Sequence, residues 1–107
     1  MLNLYVVDAA IAAIAHPARR HLLLLVRDGQ RTPSELADRV GLTRPATSQH
    51  LRVLRDVGLV TVRARGGNRY YRAEEERLEA LRAHLEEFWL GRVEALRRTA
   101  EQEVSGA

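Results

Sequence analysis

The chain has 107 residues, 46% of them hydrophobic and 29% charged, with a net charge of +3 and no cysteine. This length supports one domain with a real core, residues 1–107, though not the burial of every helix face without a partner, so an oligomer is expected. The composition is that of an ordered globular chain, and the missing cysteines exclude disulfides, thiolate metal ligands, cysteine nucleophiles and thiol redox sensing together. No run approaches the ~18 apolar residues of a membrane span, and the N-terminus lacks a basic lead-in and cleavage site. A cytoplasmic protein with no membrane partner is the expectation.

Leu4 to Ala15 is rich in Ala and Ile and holds no breaker, until His16-Pro17 interrupts it, because a residue before proline is pushed out of the α region. Proline is tolerated at a first helical position, so Pro17 to Arg27 reads as a second helix. Leu22, Leu23, Leu25 and Val26 turn inward, and Asp28-Gly29 is the stop. Thr32-Pro33-Ser34-Glu35 spells an N-cap, an N1 proline and an N3 glutamate, a capping box. The short helix it opens points Leu36, Ala37 and Val40 inward and closes at Gly41. Thr43 caps a fourth helix with Arg44-Pro45 in its first turn. At 100° per residue, Ala46, Leu51, Val53, Leu54 and Val57 fill one arc, while Arg44, Ser48, Gln49, Arg52, Arg55 and Asp56 fill the other.

Gly58 ends that helix, and Val60, Val62 and Ala64 alternate with Thr61, Arg63 and Arg65 at strand spacing. Gly66-Gly67-Asn68 is read as the loop, and Arg69 to Arg72 as the returning strand. Tyr70 and Tyr71 then face opposite ways, one to the core and one outward. The last helix, expected over 74–100, opens on Glu74, Glu75 and Glu76 and carries Arg97 and Arg98 near its end, the arrangement its dipole favours. Leu78, Leu81, Leu85, Phe88, Trp89, Val93, Leu96 and Ala100 form a stripe too long for a core of four short helices. Part of it should meet another chain. Val104 to Ala107 reads as disordered.

Charge along the chain is strongly polarised. Thr43 to Arg72 holds seven arginines against Asp56 alone, a net +6, while Ala73 to Ala107 holds five arginines against nine glutamates, a net −4. All seventeen basic residues are arginine, which suits bidentate phosphate and guanine contacts, although a GC-rich genome accounts for the exclusion of lysine more simply. Two short helices joined by Gly41-Leu42, the second with short polar side chains on its first turns, form a helix-turn-helix over residues 33–58. Such a second helix enters the major groove by its N-terminus. Gln49 and Arg52 are then placed to read bases, since glutamine pairs with adenine and arginine with guanine. Thr43, Arg44, Thr47 and Ser48 lie where a helix N-terminus meets phosphate. Arg65 and Arg69 would flank the duplex from the wing, residues 60–72. His50 lies in the apolar arc and reads as a hydrogen-bonded core histidine, and His16 as a helix-junction residue.

Thr47-Ser48-Gln49-His50-Leu51, Leu54-Arg55, Val57-Gly58-Leu59-Val60 and the hairpin ending Arg69-Tyr70-Tyr71-Arg72 resemble the ArsR (ArsR/SmtB) family of bacterial winged helix-turn-helix repressors. Ala15-His16-Pro17-Ala18-Arg19 is similar to the segment that opens that family's second helix. The resemblance covers nearly the whole chain. It implies a mainly α fold with a small β-hairpin, four helices followed by two strands and a fifth helix, and a homodimer joined through residues 1–15 and 74–100. Leu4, Ile11, Leu81, Leu85, Phe88, Trp89, Val93 and Leu96 are the expected interface residues. It also implies autorepression lifted by a signal.

The family's metal sites find no match. Where one places cysteines, this chain reads Glu35-Leu36-Ala37-Asp38-Arg39. Another needs Asp-x-His and His-x-x-Glu pairs on the last helix. His84 and Glu87 reproduce the second pair, but Tyr71 and Ala73 stand where the first belongs. No metal and no cofactor is therefore expected. Phe88-Trp89 resembles a subgroup without metal ligands, where the pair either packs a dimer interface or walls a pocket for an unknown small-molecule inducer.

A sequence-specific repressor of double-stranded DNA is thus the leading expectation. The alternative is a winged-helix module that binds protein or RNA, because fold alone does not decide function. Catalysis is not expected, since no Cys nucleophile, Gly-x-Ser-x-Gly, His-Glu-x-x-His or phosphate loop is present.

Overall fold

A computed structural model describes residues 4–105. Its elements are α1 (Leu4–Ile14), α2 (Pro17–Asp28), α3 (Pro33–Val40), α4 (Arg44–Asp56), β1 (Val60–Arg65), β2 (Asn68–Ala73) and α5 (Glu75–Ser105). This is the expected order, a mainly α winged helix-turn-helix with one small hairpin.

The helix starts follow the side chains that can accept a backbone N–H. His16 Nδ1 accepts from the Ala18 amide at 3.2 Å and opens α2. Thr32 accepts from the Glu35 amide at 3.3 Å while Glu35 accepts from the Thr32 amide at 3.4 Å, so the expected capping box is formed. Thr43 Oγ1 accepts from the Ala46 amide at 3.2 Å to open α4. Between α3 and α4, Gly41 takes φ 69° and ψ 33°, the left-handed cap in which an L side chain is strained, and its N–H reaches the Ala37 carbonyl.

The core lies where α1, α2, α3, α4 and the wing converge. Val7, Ala10 and Ala13 of α1 meet Leu22, Leu23 and Val26 of α2, Leu36 of α3, Leu51 and Leu54 of α4, and Leu59, Val60 and Tyr71 of the wing. Each leucine so buried contributes roughly 1.5–3 kcal/mol relative to exposure. Two antiparallel strands would be marginal alone, but the hairpin is anchored twice. Arg31, in the connection between α2 and α3, exchanges both backbone hydrogen bonds with Tyr71 at 3.0 and 2.8 Å, and the Glu74 amide donates to the Leu59 carbonyl at 2.9 Å.

The hairpin is one residue tighter than its sequence suggests. Gly66 and Gly67 alone form the loop at φ 56° and 82°, and Asn68 pairs with Arg65 as the first residue of β2. Two consecutive positive φ values match a right-handed strand twist. Val62 consequently lies opposite Tyr71, and Ala64 opposite Arg69. Tyr71 is the buried tyrosine of the pair, and Tyr70 is half-buried on the other face.

At 31 residues, α5 should be about 46 Å long, and the molecule measures 68 × 31 × 21 Å with a radius of gyration of 18.3 Å. A compact chain of this size would have about 13 Å. Only the first three turns of α5 rest on the core, where Leu81 is buried and Leu78 and Leu85 are half-buried. From Glu86 through Val104 every side chain is exposed. The helix continues past the expected end at residue 100, because Ala100, Glu101, Gln102 and Glu103 are good helix formers. Val104 and Ser105 are therefore helical, and residues 106 and 107 lie outside the described part. Among the described residues no single helix is long and apolar enough to cross a membrane.

Candidate nucleic-acid interface

The outward face of α4 forms one wall of an open groove of about 680 Å³, and Arg69 of β2 lines the other side. Arg44, Ser48, Gln49 and Arg52 line it together, as their spacing on α4 requires, and all four are exposed. A second, adjoining groove of about 530 Å³ runs from the start of α3 to the wing tip, sharing Arg44 and Arg69. Asp56 lines the first groove and Glu35 the second, but neither forms an ion pair with the groove arginines among the described residues. Among the described residues the ion pairs join Arg27 to Glu75, Arg31 to Asp28, Arg82 to Glu79 and Glu86, and Arg97 to Glu94. Arg44, Arg52 and Arg69 thus keep their guanidinium groups for an anion from outside, and planar bidentate donors fit phosphate and guanine edges.

Two expectations for this surface need correction. Thr47 is wholly buried, and its hydroxyl donates to the Thr43 carbonyl at 2.9 Å. It cannot present that hydroxyl to a phosphate, and instead fastens the first turn of α4 from the inside. The signal was in the spacing, since Thr47 precedes Leu51 and Leu54 by one and two helical turns on the buried stripe. Thr43 itself is exposed at the helix entrance, with its oxygen engaged by the Ala46 amide.

Arg65 and Arg69 also part company. With Arg65 opposite Asn68 and Arg69 opposite Ala64, the two arginines lie on opposite faces of the hairpin. Arg69 shares the groove with α4, whereas Arg65 lines neither groove. Conversely, Arg55 lines the first groove. Its place on the polar arc of α4 would have admitted it to the site.

The expected interface residues divide in the same way. Leu81 is buried in its own chain's core at 3% exposure, which leaves it nothing to offer a partner. Ile11, Phe88, Trp89, Val93 and Leu96 are exposed, and so are Tyr5 and Leu90. The Phe88 and Trp89 rings meet edge to face at 5.8 Å between centroids. The side chain of Leu4 lies outside the described residues. Beside this apolar stripe, Arg82 bonds Glu79 and Glu86, and its bond to Glu79 holds that carboxylate below its usual range and the guanidinium above its own. His84 is half-buried and Glu87 exposed. Among the described residues no three His, Cys, Asp or Glu side chains come together as metal ligands.

His50 is half-buried rather than enclosed in the core, and its ring lies 4.5 Å from that of His16. Burial, then the neighbouring His16 and Arg19, hold its pKa below the ordinary histidine value.

Residues 16–62 match the model of the bacterial regulatory protein arsR family. Over 82 residues the chain is 39% identical to the HTH-type transcriptional regulator Rv2034 of Mycobacterium tuberculosis, covering 77% of each protein. A crystal structure of a possible transcriptional regulator for arsenical resistance superposes with a TM-score of 0.70 at 43% identity, covering 82% of this chain and 94% of that one. The solution structure of a homodimeric winged helix-turn-helix DNA-binding domain from Mycobacterium bovis, a possible ArsR-family regulator, gives 0.68 at 31% identity, covering 81% and 83%. With its winged helix-turn-helix, its arginine-lined groove and these relatives, the chain belongs to the ArsR family of bacterial DNA-binding transcriptional regulators.

Proposed function

We propose that the chain is a cytoplasmic homodimeric repressor of its own promoter, binding an inverted-repeat operator with one α4 in each of two successive major grooves. Two recognition helices about 34 Å apart would match one turn of DNA. The observation that carries this reading is the groove shared by α4 and Arg69, whose arginines form no ion pair among the described residues. Gln49 and Arg52 read bases from the middle of the exposed face, Arg44, Ser48 and the entrance residue Thr43 contact phosphate, and Arg69 holds the flank. The dimer reading is supported by the unpartnered stripe from Phe88 to Leu96 and by the homodimeric M. bovis domain. The exposed Phe88 and Trp89 rings offer an aromatic wall for an unknown small-molecule inducer, the release signal in this reading.

The test is a gel shift on the chain's own promoter region at low salt. Replacing Gln49 and Arg52 together by alanine should remove about 2 kcal/mol or more of specific binding, roughly thirtyfold or greater, at 1–3 kcal/mol per bidentate contact. Absent specific binding in the parent, or an undiminished shift in the double variant, would defeat the reading. Displacement by single-stranded RNA in preference to duplex DNA would favour an RNA-binding module.

A further inference from the structure

His16 and His50 are far apart in sequence, yet their rings lie 4.5 Å apart between centroids at an inclination of 51°. The corner that presents His16 is tied to two helices. Arg19 Nε donates to the Ala13 carbonyl at 2.6 Å and Arg20 Nη1 to the Ile14 carbonyl at 2.8 Å, so the last carbonyls of α1 are held by the first turn of α2. His16 accepts from the Ala18 amide through Nδ1, which assigns its proton to Nε2. His50, across the ring contact, sits on the same helix as Gln49 and Arg52.

The surroundings of His50 are one-sided. The charged groups that act on it are His16 from the corner and Arg19 from α2. None of the carboxylates on the packed elements, Asp8 of α1, Asp28 of α2, Glu35 and Asp38 of α3 or Asp56 of α4 itself, is among them. A protonated His16 is a donor at both nitrogens and can no longer accept from the Ala18 amide. It would also set a positive charge at the N-terminal end of α2, which disfavours cations, and a protonated His50 would face it directly. A metal ion is the wrong ligand for the pair. The Nδ1 lone pair of His16 is spent on its cap, and no third ligand group joins them among the described residues.

We propose that the His16–His50 contact is a proton-responsive joint, which seats α4 against the α1–α2 corner when both rings are neutral and loosens it in mild acid, weakening operator binding. This rests on the reading of α4 as the DNA-reading helix. It also means that the corner joining α1 to the rest of the chain can report to α4 without any ligand in the DNA groove.

The experiment is operator affinity by fluorescence anisotropy at constant ionic strength from pH 7.5 to 5.5, for the full chain and for H16N and H16D. Asn and Asp are both good N-caps, so each variant keeps an acceptor for the Ala18 amide. The parent should lose about tenfold in affinity on acidification. H16N should lose less than about threefold, and H16D, which offers an imidazolium a carboxylate, should show no loss. His21 and His84 remain in every variant as internal controls. Ring resonances followed by NMR give a readout that does not need DNA, in which His50 should titrate at higher pH in H16D than in the parent. A parent affinity that is flat or rises in acid, parent and H16N profiles that superpose, or a His50 titration identical in parent and H16D would each overturn the joint. Absence of operator binding already at pH 7.5 would instead overturn the functional reading, and the ring titration would still decide whether the two histidines are coupled.

Discussion

The helix-turn-helix and wing bury Leu36, Leu51, Leu54, Leu59 and Val60 almost completely, whereas on α5 every side chain from Glu86 through Val104 is exposed, Phe88, Trp89, Leu90, Val93 and Leu96 among them. The two regions also handle charge differently. On α5, Arg82 is paired with Glu79 and Glu86 and Arg97 with Glu94, while among the described residues no ion pair joins Arg44, Arg52 or Arg69. A region that finishes its apolar burial alone and leaves its cations free is shaped for an anionic partner. One that carries a net negative charge and leaves its apolar stripe bare suits a protein partner, proposed here to be a second copy.

The contrast predicts different kinds of failure. The largest effect should follow Leu54→Ala, which opens a cavity in the completed core and should cost about 2–5 kcal/mol of stability in urea denaturation at any protein concentration. A cost below about 1 kcal/mol would mean that this core is looser than its burial implies. Trp89→Ala should act through association instead. As an aromatic anchor in the proposed dimer it should raise the dimer dissociation constant roughly thirtyfold or more, about 2 kcal/mol, in sedimentation equilibrium. If the oligomeric state is unaltered, the bare stripe serves something other than a second copy.

Thr47→Val probes the boundary between the two kinds of partner, because Thr47 lies in the helix proposed to face DNA but points inward. Losing its bond to the Thr43 carbonyl should cost about 1 kcal/mol of stability, with operator affinity following stability and no more. A collapse of binding in a fully stable variant would restore Thr47 to the interface. The smallest effect concerns pH. Since the His50 pKa is depressed by folding, the unfolded chain takes up its proton first as pH falls. The stability tied to a neutral His50 is then complete above about pH 6.5 and is lost as pH falls through that value toward the lower folded one. His50→Gln should flatten that part of the denaturation profile and leave the alkaline side unchanged.

How far each of these residues could be placed from the sequence depended on the range of the force that places it. Thr32, Glu35, Gly41 and Thr43 act within four residues, and the helix starts and stops they signal are where the structure has them. The hairpin was legible except for its register. Counting Asn68 into the loop would set Arg65 opposite Arg69 on one face, and moving Asn68 into the strand separates them, because a shift of one residue turns a side chain to the other side of the sheet. Stripe membership marked Leu81 as an interface residue although its own core had already claimed it.

By itself, then, the sequence determined the order of elements, their caps and the basic face of α4, since propensity, capping and periodicity are local and written in neighbouring residues. Tertiary structure alone decided that Thr47 turns inward, that Arg69 and not Arg65 joins α4, where the stripe on α5 passes from core to surface, and that His16 meets His50. Each of those outcomes depends on which distant segment arrives to exclude water or to bring a second charge close, and no local pattern records that.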